Sequence, residues 1–351
     1  MQRVCLEYLP EFQAWGVKKE VIAKLAAKGQ VAEIVFPKLE EIEKAKAKYP
    51  ELKDFNYNPK ATAPTAGFLL GQDKADDGTE YYSISNAYAQ AMANTGAKIR
   101  FLDYENPEKQ MVGCHGAVLP GGVFDSPRKF ETDPADDLDE LLKAGALSFD
   151  WRGGASTPGK RYEAYRSVIR HIDKTKKPML GICAGAQMVA ALLGGWHMYG
   201  HTANMKWVSS FEAITHKKKG YRHTLYLKSG SPFYQALNLQ KDVKQVLMNT
   251  RHVACLVPEV EQKTLQLMTK KSPRVELEVF ATTKDGVPEI LGNLARSILL
   301  VQGHPEDYAK VGRDGKPNFY QNIYNWMASQ ATAYQKQQWR RMAKQLGRAK
   351  G

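Results

Sequence analysis

Short apolar runs separated by longer amphipathic stretches set the texture of this chain from Ala66 onward. By composition the runs at 68–70, 99–102, 117–119 and 178–182 read as strands. Further strands are predicted around Tyr226 and at 243–248, 276–282, 290–291 and 298–301. Helical spacing predicts helices over 83–95 and 162–174, a helix that starts after Cys183 and closes at Gly194-Gly195, and another over 318–328. Strands alternating with helices imply an α/β fold. Its sheet is doubly wound and mostly parallel, with helices on both faces and active groups at the carboxyl ends of the strands.

The ends of the chain differ from this middle. Residues 1–61 read as an N-terminal helical extension: Val17, Val21, Ile22 and Leu25 line one face, and a second helix over 37–49 places Glu40 four residues before Lys44. Residues 62–330 form the α/β domain, and 331–351 a basic helical tail. Between Gly122 and Tyr162 lies an insertion rich in acids (Asp133, Asp136, Asp137, Asp139, Glu140) and then in glycine, which fits a lid or a solvated excursion.

Composition narrows the classes. With 351 residues, 43% of them hydrophobic, the chain can bury a full core. The formal net charge is +13, and six of those positive charges (Lys336, Arg340, Arg341, Lys344, Arg348, Lys350) sit in the tail without an acid among them. Such a tail would suit an acidic partner. Cys5, Cys114, Cys183 and Cys255 show no paired spacing, so they read as reduced thiols. The chain does not open on a basic segment followed by a long apolar one. Nor does any run approach the ~18 apolar residues of a membrane span, so a cytoplasmic, non-membrane protein is expected.

The chemistry concentrates at Cys183. Residues 178–187 read as a buried strand, a glycine-flanked turn bearing a thiol, and a helix start, the arrangement of a nucleophile elbow. The thiolate is the attacking species, and the free N–H groups of a helix start favour negative charge beside it. His304, at the end of the strand 298–301, offers a base; Glu306, two residues on in an extended segment, would reach its ring and fix the tautomer. A third strand runs into Pro120-Gly121-Gly122, whose glycines let backbone N–H groups approach a substrate carbonyl. Asn249, Thr250 and His252 follow another apolar strand, where a pocket wall would form.

Other patterns carry less. Residues 154–160 have the outer spacing of a phosphate loop, but Arg161 stands where Ser or Thr would bind magnesium. His197 and His201 have a helical spacing without a third ligand, so no metal site is expected. Asp73, Asp76 and Asp77 lack the calcium-loop pattern.

Taken together, Gly181-Ile182-Cys183-Ala184-Gly185-Ala186-Gln187, His304-Pro305-Glu306 and Pro120-Gly121-Gly122 resemble the class I glutamine amidotransferase-like superfamily. Within it the chain is most similar to the γ-glutamyl hydrolase and γ-glutamyl-γ-aminobutyrate hydrolase branch, which is peptidase C26-like. The resemblance covers about residues 62–330 and implies a flavodoxin-like sheet. It also implies Cys183 as nucleophile, His304 as base, Glu306 as orienter and Gly122 with Ala184 as oxyanion donors. Substrate contacts are expected from Gly121, Gln187, Asn249, Thr250 and His252, and no cofactor or metal is implied.

The chain departs from the branch at three places: Ala184 replaces an arginine, Gly303 a tryptophan and Ala254 a glutamine. The expected activity is cleavage of a small-molecule or peptide γ-glutamyl amide through a thioester. A glutaminase supplying ammonia to a partner synthase and a non-catalytic binding protein acting through the basic tail are the alternatives. Oligomeric state is left open.

Overall fold

The computed structural model describes residues 3–4, 63–74, 80–84, 86–121, 158–194, 196–200, 221–250, 254–257, 274–284 and 286–348. In chain order the strands are β1 (Arg3–Val4), β2 (Thr65–Leu69), β3 (Gly71–Lys74), β4 (Glu80–Ser83), β5 (Lys98–Leu102), β6 (Gly116–Leu119) and β7 (Met179–Ile182). They continue with β8 (His197–Gly200), β9 (Tyr221–Leu227), β10 (Gln245–Thr250), β11 (Ala254–Val257), β12 (Glu278–Thr282), β13 (Pro288–Asn293) and β14 (Ile298–Val301). The helices are α1 (Asn86–Ala93), α2 (Pro107–Gln110), α3 (Pro158–Thr175), α4 (Ala184–Gly194), α5 (Phe233–Ala236) and α6 (Phe319–Arg348).

Nine strands form one sheet in the order β10-β9-β12-β13-β14-β7-β6-β2-β5. The pairings from β5 to β14 are all parallel, and their spatial order, numbered along the chain, is 2-1-3-4-5, the flavodoxin-like order. The other four strands, inserted in sequence between β7 and β14, extend the sheet with antiparallel pairings. The fold class expected from the alternation is therefore present, with an antiparallel wing added.

Each face of the parallel half is sealed by helices. Leu180, Ile182, Val118 and Val301 pack with Tyr88 and Met92 of α1 and with Ile323, Tyr324 and Met327 of α6. Met179, Leu119 and Leu300 pack with Tyr165 and Val168 of α3 and with Ala186 and Val189 of α4. Burying both faces of a strand accounts for the unbroken apolar runs at 179–182 and 298–301.

Element lengths differ from the sequence reading in two instructive places. α1 is shorter than the predicted 83–95, because residues 80–83 pair instead as β4 with β3. The last helix does not stop near 328 but runs unbroken to Arg348. No glycine or proline interrupts 319–346, and Ile323, Met327, Ala331 and Gln335 stay buried at four-residue intervals. Apart from Arg3 and Val4, the predicted N-terminal helices lie outside the described residues, as does the acidic insertion up to residue 157. Among the described residues, no helix is long and apolar enough to cross a membrane.

Candidate active site

β7 and β14 are parallel neighbours in register, Ile182 opposite Val301, so the residues that follow each strand emerge at the same sheet end. Cys183 follows β7 directly and adopts φ 51°, a left-handed conformation that costs a non-glycine residue about 1–3 kcal/mol. Backbone bonds hold it there: Cys183 N–H donates to the Val301 carbonyl at 2.8 Å, and its own carbonyl accepts the Gln187 N–H at 3.0 Å as α4 begins. The thiol thus stands at the first turn of α4, buried at 7% exposure.

Beyond β14 the chain passes Gln302 and Gly303 to His304 and then folds into a 3₁₀ turn over Pro305–Asp307. This corrects the extended course expected for Glu306. The turn, not strand alternation, brings the carboxylate back to the ring, where Glu306 Oε1 lies 2.6 Å from His304 Nδ1. The Cys183 sulfur also lies near enough to this ring to act on its charge. A Cβ added to Gly121 would sit 2.8 Å from Tyr88 Oη, 2.9 Å from His304 Cε1 and 3.0 Å from Cys183 Cβ, so these groups surround one point that only glycine leaves open.

Charge follows from this packing. Burial alone would pull the imidazole down, but the Glu306 carboxylate and the Cys183 sulfur overcome it and push His304 up to about 10. Tyr88 goes the same way for a different reason. Burial first, and then the Glu306 charge, raise its hydroxyl well above the ordinary tyrosine range, so it stays neutral.

Tyr88 belongs to a clamp that the sequence reading missed. Its hydroxyl accepts the Gly121 N–H at 2.9 Å and lies 3.4 Å from His304 Nδ1. From α3, Tyr165 donates to the Pro120 carbonyl at 2.7 Å and Arg161 to the Gly121 carbonyl at 3.3 Å. Both polar backbone groups of Gly121 are therefore engaged within the protein, and what this residue offers the site is space. A tyrosine inside a helical period reads as core whether or not its hydroxyl has a task, so the pattern alone held no signal for Tyr88 or Tyr165.

The remaining expected residues divide as follows. Ala184 is the first residue of α4, beside the nucleophile. Gln187 is buried on the same helix and donates to Gln302 Oε1 at 3.2 Å, linking the helix after Cys183 to the segment that carries His304. Asn249 is buried with its side-chain amide on Asp307. Thr250 closes β10, while Gly122 and His252 lie outside the described residues. His197 is on a strand, β8, so the helical spacing to His201 does not apply. Among the described residues no three His, Cys, Asp or Glu side chains cluster to hold a metal ion.

Residues 153–306 match the family model described as Peptidase C26. No curated protein matches the chain. Among solved structures it is similar to a putative GMP synthase subunit of Thermoplasma acidophilum, with TM-score 0.46 and 14% identity over 79% of this chain and 98% of that one. A glutamine amidotransferase of Thermotoga maritima gives TM-score 0.40 and 14% identity over 70% and 76% of the two chains. The glutaminase domain of a Trypanosoma brucei CTPS with bound acivicin gives TM-score 0.48 and 15% identity over 77% and 94%.

Proposed function

We propose that the chain is a cysteine hydrolase that cleaves γ-glutamyl amide or peptide bonds. The Peptidase C26 match supports hydrolysis of glutamine-type or γ-glutamyl amides in general. The observation that carries this reading is a cysteine at a left-handed elbow that meets the His304 ring at the point Gly121 leaves open, with Glu306 Oε1 2.6 Å from His304 Nδ1.

His304 takes the proton of the Cys183 thiol as the attack begins. The Cys183 sulfur attacks the γ-carbonyl carbon, and the carbonyl oxygen takes up the electron pair while accepting N–H bonds from Gly122 and Ala184. The engagement of Gly121 N–H with Tyr88 supports giving the first of those roles to the next residue. As the tetrahedral species collapses, the C–N bond breaks and His304 passes its proton to the departing amine. Water then attacks the thioester with His304 as base, which releases a γ-carboxylate and returns Cys183 and His304 to their starting state. Glu306 keeps the ring in one tautomer and orientation throughout.

The test is Cys183→Ala assayed on γ-glutamyl peptides and on glutamine. Turnover should fall by at least about 10³-fold with the melting temperature unchanged, since triad nucleophiles contribute on that scale. The wild type should show a glutamyl thioester on Cys183 by mass spectrometry. A folded Cys183→Ala protein that still turns over γ-glutamyl peptides would refute the mechanism, and turnover of glutamine alone would shift the assignment to a glutaminase.

A further inference from the structure

The antiparallel wing of the sheet takes no part in the chemistry above, yet its outermost strand reaches the catalytic turn. The Asn249 carbonyl on β10 accepts the His304 N–H at 2.9 Å, and the Asn249 side-chain amide donates to the Asp307 carboxylate. Asn249 is 1% exposed. One residue therefore grips the turn at both ends, before the imidazole and after Glu306.

Gly303 is what lets the strand come this close. A Cβ at that position would lie 2.2 Å from Met248 Cγ and 2.7 Å from the Asn249 carbonyl oxygen. Neighbouring contacts act in the same direction. Arg222, which faces Asn249 across the β9–β10 ladder, holds its guanidinium 4.1 Å over the Tyr308 ring, and Tyr320 Oη donates to the Leu247 carbonyl at 2.7 Å.

The turn needs such ties. A single 3₁₀ turn has poor hydrogen-bond geometry of its own, here one bond of 3.2 Å from Tyr308 N–H to the Pro305 carbonyl. A catalytic group must nonetheless be held within about 0.5 Å of its productive place. We propose that Asn249 is a positioning residue that straps the catalytic turn to β10 and keeps the His304 ring in reach of Cys183, rather than a contact to substrate. The proposal rests on the Cys183/His304 pairing used in the proposed function.

Alkylation of Cys183 by iodoacetamide as a function of pH, followed peptide by peptide with mass spectrometry, tests it without any substrate. With Cys183 paired to His304 as in the proposed function, the wild type should react rapidly even at pH 6. Asn249→Ala and Asp307→Ala should each slow alkylation at pH 6 by about tenfold, the effect of moving the pair by one pKa unit, while the rate near pH 9.5 stays at the wild-type level. Asp307 is exposed, so its variant keeps the test decisive if Asn249→Ala fails to fold. Profiles of folded variants that overlay the wild type overturn the strap. If Asn249→Ala instead raises KM with alkylation unchanged, Asn249 is a substrate contact and the proposal falls. A wild type that is inert at pH 6 removes the Cys183/His304 pair itself, which is a separate failure.

Discussion

The charge on His304 is set by a contest between burial, which favours the neutral ring, and two anionic neighbours, which favour the imidazolium and win at about 10. In the proposed mechanism the departing amine takes that proton, so kcat/KM should hold through neutrality and fall as pH rises past about 10. Glu306→Gln removes one neighbour and leaves burial in place. The alkaline limb should then move down by about one to three units, which a pH–rate series would reveal. Stability follows the same sign. A group whose folded pKa is raised stabilises fully below its unfolded value near 6.5 and loses that contribution as pH climbs through about 10, so melting temperature should decline across that window in the wild type and less in Glu306→Gln. Identical pH–rate profiles for the two proteins would remove Glu306 from the orienting role. The meeting of Cys183, His304 and Glu306 was legible in the sequence because each sits in a short local pattern. Tyr88 and Tyr165 could not, since their bonds to the 120–121 turn join residues 33 and 45 positions apart.

Among the elements, the nucleophile helix and the strand bearing the expected oxyanion glycines are packed backbone to backbone. A Cβ on Gly185 would come within 2.0 Å of the Leu119 carbonyl oxygen, and neither group can swing aside. Gly185→Ala should therefore lift α4 from β6 and cost about 1–3 kcal/mol, read as a lower urea midpoint at unchanged slope. Because Cys183 is fixed to the start of that helix, its iodoacetamide reactivity at pH 6 should fall as well. An unchanged midpoint would mean the helix has room that the geometry denies. The glycines of the elbow were visible in the sequence, but the reason for them is this contact. The parallel strands were equally visible, as runs buried on both faces. β9, β10, β12 and β13 were recognisable as strands but not as an antiparallel wing, since an apolar pattern specifies which face is buried and not which neighbour is paired. The strand pattern could mark Asn249 for a pocket wall but could not show that its amide meets Asp307.

Across the whole molecule, α6 joins what the charge pattern divides. The basic stretch after residue 330 suggested a separate tail, yet Ala331 and Gln335 continue the buried face, and Tyr334 Oη donates to the Thr175 carbonyl at 3.2 Å. Thr175 ends α3 just before β7 begins, so this tie lies at the opposite end of the parallel strands from Cys183. Stability and chemistry should therefore separate. Ending the chain at residue 330 removes the end of the buried face, Ala331 and Gln335, and the tyrosine tie, and should cost about 1–3 kcal/mol while Cys183 alkylation at pH 6 is preserved. Replacing the exposed Lys336 and Arg340 by glutamate changes the charge and leaves the buried face intact, so it should move stability by no more than about 0.5 kcal/mol. If the charge replacement destabilises as much as the truncation, the helix is held by its electrostatics and not by its packing. If the truncation abolishes alkylation, the two ends of the sheet are coupled, and α6 must be counted as part of the catalytic framework.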